Sequence, residues 1–219
     1  MIFAHQLSRL PDVEEFRRAF QAMAMLDSIL SPDWDFRYCL FNSSWANGEQ
    51  LGTIRNERGD GVIAHFNSSG CWLRGYANAF STYPYRSMLS PGGPSYPWLQ
   101  VLAPAEVVER LREPAFSVGE TTFCMWRRNG EDAWQLGSLL RNPPDHPNSD
   151  GSEFLLWMLD SRPATYKRWA AETYGQHVNL DDIEYVYRHQ PLNSDLVMRL
   201  NANLSIEQLA TDVSEIGYP

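Results

Sequence analysis

The chain has 219 residues, 43% of them hydrophobic and 21% charged, proportions near the average for globular domains and far from those of disordered segments. Its formal net charge is −9, which repels phosphate backbones and disfavours nucleic acid as a partner. No run approaches the roughly 18 to 20 consecutive apolar residues that a membrane-spanning helix needs, so no membrane is expected.

The charge is uneven. Residues 1–103 carry 9 acidic and 8 basic side chains, whereas residues 104–219 carry 18 and 10. The acidic half would attract a basic protein partner, and it also serves plain solubility. The opening "MIFAHQLSRLPD" has no basic stretch leading into an apolar core and no small-residue cleavage pattern, which reads against a secretory leader. Three cysteines, Cys39, Cys71 and Cys124, are odd in number and sit in apolar or aromatic runs, as buried thiols of a reducing compartment do. The expected location is cytoplasmic.

In chain order, residues 1–31 hold one helix. Asp12 followed by Glu15 forms a capping-box pattern, Val13, Phe16, Phe20, Met23 and Leu30 recur at helical spacing, and Pro32 stops the run. Ala24, Leu26 and Ile29 widen the apolar stripe, so this helix should pack hard against a sheet. Between residues 35 and 138 the pattern is mostly strand. "DFRYCLF", "QLGTIRN", "GVIAHF" and "CWLRGYA" are short β-type runs separated by polar turns, and "NSSG" is too short for a crossover helix, so the last two form a hairpin. In "GVIAHF", Val62, Ala64 and Phe66 share one face and Ile63 and His65 the other, as in a strand covered on both sides.

Residues 77–103 break every period. They hold four prolines with Phe80, Tyr83, Tyr85, Tyr96 and Trp98, and an aromatic-rich stretch of that length without its own structure reads as functional. "PAEVVERLRE" is a short helix. "TTFCMWRRNGEDAWQLGSLL" predicts two more strands around Asn129-Gly130, a strong hairpin signal. From 150 to 216 the chain is helical, in five pieces separated by Pro163, Gly175, Pro191 and "NANLS". Strands grouped in the middle and helices at the ends describe a single α+β domain over 1–219. Its antiparallel sheet of about six strands is a meander plus a hairpin, with the N-terminal helix and the C-terminal helices packed on it.

No compact signature of chemistry is present. "DHPNSDGSE" fails as a calcium loop because His146 and Trp157 fall at ligand positions, and it reads instead as a cap by Asp150 with Glu153. The five histidines lack metal-ligand spacing, and no nucleophile elbow or phosphate-cradling glycine loop occurs. No cofactor and no metal are expected. His65 alone is placed like a catalytic base, and a hydrogen-bonded structural histidine is the commoner outcome at such a position.

Two functional expectations follow. The first is a non-enzymatic, acidic protein-binding module, of the inhibitor or immunity type, for a basic partner. Its contacts would come from Tyr83, Tyr85, Tyr96 and Trp98 and from the acidic helix start at Asp181, Asp182 and Glu184. The plain alternative for those three acids is stabilisation by the helix dipole. The second expectation is a carbohydrate-active hydrolase with a carboxylate pair drawn from residues such as Glu49, Asp60 and Glu120, in a cleft lined by Trp45, Trp72 and Trp126.

Overall fold

The computed structural model describes residues 7–77, 121, 123–137 and 152–219. Helix α1, Val13–Leu30, begins where Asp12 Oδ1 accepts the Glu15 amide at 2.8 Å, with Glu14 and Glu15 in the positive first turn. Its apolar stripe is wider than a surface helix needs. From Phe16 onward almost every side chain is buried, including Gln21, Asp27 and Ser28. A helix buried all round requires neighbours on every side.

One neighbour is the sheet. Strands β1 (Cys39–Ala46), β2 (Glu49–Arg55), β3 (Gly61–Asn67), β4 (Gly70–Tyr76), β5 (Phe123–Arg128) and β6 (Gln135–Gly137) lie side by side in sequence order, each pair antiparallel. The predicted meander and hairpin therefore form one sheet, with β5 pairing β4 although 46 residues separate Tyr76 from Phe123. The Asn129-Gly130 turn closes β5 onto β6, and Gly130 takes φ of 85°, a conformation open to glycine at little cost.

The register sorts the two faces. Phe41, Gly52, Ala64, Leu73, Met125 and Leu136 form one row, and Asn42, Leu51, His65, Trp72, Trp126 and Gln135 the next. The first row faces α1. Phe20 lies over Gly52 so closely that a Cβ there would stand 2.5 Å from its ring, and Phe16 and Phe20 meet Phe66 at ring-centroid distances of 6.2 and 6.0 Å. His65 is fully buried on the opposite face, so β3 is covered on both sides as its pattern implied.

The other neighbours of α1 are helices. After a short helix α2 (Ser152–Leu156) and a 3-10 turn, α3 (Pro163–Tyr174), α4 (Leu180–Tyr187), α5 (Ser194–Leu200) and α6 (Ala210–Ile216) follow. These helices are packed on the sheet and its covering helix, as expected: α6 lies against β1, and among the described residues the others pack chiefly on α1 and on each other. Among the described residues, α1 therefore lies between the sheet and most of the C-terminal helices.

The first strand also differs from its reading. "DFRYCLF" splits into a 3-10 turn, Trp34–Phe36, and a strand that starts at Cys39 and runs on through Asn42–Ala46 with a bulge. The polar "NSSWA" belongs to this strand because its side chains meet α6 rather than a core. Ser43 Oγ donates to the Glu215 carbonyl at 2.8 Å and Asn42 Nδ2 donates to Glu215 Oε1 at 3.2 Å. The last helix thereby blunts the edge of the sheet.

Candidate functional site

Four of the predicted contact residues, Tyr83, Tyr85, Tyr96 and Trp98, lie outside the described residues, as do Glu120, His5 and His146. The acidic helix start is described. Asn179 caps α4, and Asp181 beside it is exposed. Asp182 is buried and held by Arg199, whose Nη2 approaches its Oδ1 at 2.6 Å and whose Nε adds a second bond at 3.0 Å. Glu184 pairs with Arg188 at 2.5 Å, one turn on. Two of the three acids thus already hold a cation of the same chain.

The three tryptophans and the histidine come together on the sheet face away from α1. His65 Nε2 lies 3.0 Å from Glu49 Oε2, a hydrogen bond in which the carboxylate accepts. The imidazole lies tilted by 31° against Trp72 at 4.7 Å and meets Trp45 edge-on at 5.7 Å, and Trp126 stands opposite Trp72 in the register. All but Trp45 are buried, so this cluster orders the face rather than presenting an open platform. Asp60 closes the β2–β3 turn, where its Oδ2 accepts from Asn56 Nδ2 at 2.9 Å.

The thiols of Cys39, Cys71 and Cys124 are free and buried, and burial raises their pKa, that of Cys124 to about 12. They are protonated and poor nucleophiles at neutral pH. Among the described residues no group of three or more His, Cys, Asp or Glu side chains comes together to hold a metal ion. No helix among them is long and apolar enough to cross a membrane.

What the sequence reading missed is the turn between α1 and β1. Trp34 is 55% and Phe36 67% exposed, two of the three large apolar side chains so exposed among the described residues. They alternate with Asp33 and Asp35, both exposed, on a 3-10 turn capped by Asp33 Oδ1 accepting the Asp35 amide at 3.1 Å.

Two arginines fix this turn from behind. Arg37, buried, donates to the carbonyls of Ser31 at 3.0 Å and Pro32 at 2.7 Å and forms a bidentate pair with Asp212 of α6. Arg55 of β2 donates to the carbonyls of Arg37 at 3.0 Å and Trp34 at 3.1 Å, and its guanidinium lies 4.8 Å from the Trp34 ring centroid. Beside them Tyr38 donates to Glu57 at 3.0 Å. The alternation of acid and aromatic in "PDWDF" was visible, but Phe36 was counted as the start of an apolar strand.

The fold and this edge define a class: an α+β domain with an antiparallel meander that displays an aromatic, acidic turn on a rigid frame. Comparison with protein-family models, with curated proteins and with solved structures finds no match for this chain. The functional reading therefore rests on its own residues.

Proposed function

We propose that the protein is a non-enzymatic binding module that engages a basic protein partner, in the manner of an inhibitor or immunity protein, through the edge built on Trp34 and Phe36. The observation that carries this reading is the exposure of those two aromatic side chains, 55% and 67%, on a turn immobilised by Arg37 and Arg55. Large aromatics held rigid in the free protein lose little entropy on association, which is how a few side chains come to dominate an interface. The net charge of −9 supplies steering toward a cation-rich surface. A cytoplasmic site of action suits three free thiols.

The test is affinity capture from lysate of the source organism at two salt concentrations, with the wild type and with the Trp34→Ala/Phe36→Ala variant side by side. The expected result is a basic protein retained near stoichiometry by the wild type, weakened at high salt and lost with the double variant. Retention of nothing, or equal retention by the variant, overturns the reading.

A second reading, a carbohydrate-active hydrolase, is favoured by one observation. A groove of about 550 Å³, between the start of α1 and the β1–β2 hairpin, is lined by two glutamates, Glu14 and Glu49, and its size falls in the range of ligand sites. Against it, the Arg17 guanidinium bonded to Glu14 holds that carboxyl below its usual range, the reverse of what a general acid needs. The tryptophans also stand elsewhere, on the face with His65. The binding reading is the stronger of the two.

A further inference from the structure

Beside the Trp34 turn the rim of the sheet holds a hollow of about 150 Å³. Trp34, Leu40, Leu51, Thr53, Asn42 and Glu215 are among the residues that line it. Size decides what class of ligand fits. At a water's share of roughly 30 Å³, the hollow is worth about five waters, well short of the roughly 300 to 1,000 Å³ of a small-molecule site. One long side chain matches it.

Charge decides which side chain. Asp212, also at the hollow, is already neutralised by Arg37. Glu215 is exposed and bonded only to the neutral amide of Asn42, with no cation in salt-bridge reach among the described residues. The Trp34 ring already accepts one guanidinium, that of Arg55, at 4.8 Å. An apolar wall with an unneutralised carboxylate at its rim suits a side chain with a hydrocarbon stem and a cationic head.

We infer that this hollow seats a single arginine or lysine side chain of the partner, with its stem against Leu40, Leu51 and Trp34 and its head at Glu215. The inference rests on the binding reading above and names the chemistry that the same edge recognises. A partner lacking a protruding basic residue would find the hollow filled by water and gain nothing from it.

The test uses three capped tripeptides, acetyl-Gly-Xaa-Gly-amide with Xaa arginine, lysine or citrulline, titrated into the full ¹⁵N-labelled chain. Citrulline keeps the shape of arginine without its charge. Expected are saturable shifts at the Trp34 indole, Leu40, Asn42, Thr53 and Glu215 with a cationic peptide and none with citrulline, and affinity reduced ~5-fold or more by Glu215→Gln. The larger response of arginine or lysine identifies the head. Equal shifts with citrulline, shifts elsewhere, or no shifts with either cation overturn the inference.

The lysate capture separates this failure from that of the broader reading. If Glu215→Gln retains the partner like the wild type while Trp34→Ala/Phe36→Ala loses it, the hollow is not the seat and the binding edge stands. If the aromatic variant retains it, the edge itself is wrong.

Discussion

Asp27 is a carboxylate in the last turn of α1, 0% exposed, and four donors converge on it. The Tyr38 and Cys39 amides donate to Oδ2 at 2.9 and 2.7 Å, the Tyr174 hydroxyl to Oδ2 at 2.9 Å, and the Tyr166 hydroxyl to Oδ1 at 2.7 Å. Burial raises its pKa to about 6 despite these bonds, which pull the other way. A folded-state pKa above the unfolded one means that the native state holds the extra proton between about pH 4 and 6. The stabilisation this provides is full below pH 4 and lost as pH rises through 6. Asp27→Asn, which cannot titrate, should abolish this slope, on the order of 3 kcal/mol, in urea midpoints measured from pH 4 to 7.

Two tyrosines near this carboxylate make a paired test. The Tyr166 hydroxyl serves Asp27, whereas the buried Tyr187 hydroxyl has no hydrogen-bond partner among the described residues. Tyr166→Phe should cost about 1.5 to 3 kcal/mol, because a charged acceptor loses its donor, and Tyr187→Phe should be neutral or stabilising. Denaturant unfolding of both variants checks this. In the sequence Asp27 is one polar letter in "MAMLDSIL", and nothing local marks its partners, which lie 11 to 147 residues away.

At the scale of elements, local signals sufficed wherever an element is specified by its own residues. The Asp12 cap, the "NSSG" and Asn129-Gly130 turns and the alternation of β3 all appear as read, and β2, β3 and β4 begin and end within one residue of the pattern. The failure at "DFRYCLF" has a clear cause. Its apolar residues read as strand, but Phe36, like Trp34 just before the run, is held out by arginines bonded to the backbone behind it, an arrangement that needs Arg55 from another strand.

Packing between elements is equally non-local. Gly52 reads as a weak point in a strand, yet it is the space into which Phe20 fits. Gly52→Ala should destabilise by about 1 to 3 kcal/mol through overpacking, and the cost should shrink in a Phe20→Leu background, where the ring is gone. A double-mutant cycle measured by thermal or urea unfolding reports that coupling.

At the scale of the whole molecule, α1 joins β1 and β2 to the C-terminal helices, and residues 216–218 close onto α1 and onto the end of α4. Gln21 Nε2 donates to the carbonyls of Ile216 and Gly217 at 3.0 and 3.2 Å, and the Tyr218 hydroxyl donates to those of Val186 and Gln190, both at 3.0 Å. Tyr218 is buried. Tyr218→Ala should therefore cost about 3 kcal/mol or more, with the loss read in urea unfolding. Because α6 carries both Glu215 and Asp212, loosening this end should also weaken the Trp34 edge.

The sequence by itself determined the α+β class, the six-stranded antiparallel sheet, the caps and turns and the buried thiols. Each of these follows from the spacing of apolar residues and from turn chemistry within a few positions. Only the tertiary structure decided which C-terminal helix meets the sheet, α6 on β1, and which pack on α1. It also drew Asp182 and Glu184 into pairs with Arg199 and Arg188, and it left Trp34 and Phe36 facing outward beside a hollow. Those outcomes depend on which charged and aromatic groups meet across long stretches of chain. Such meetings are set by packing and desolvation, and leave no local period to read.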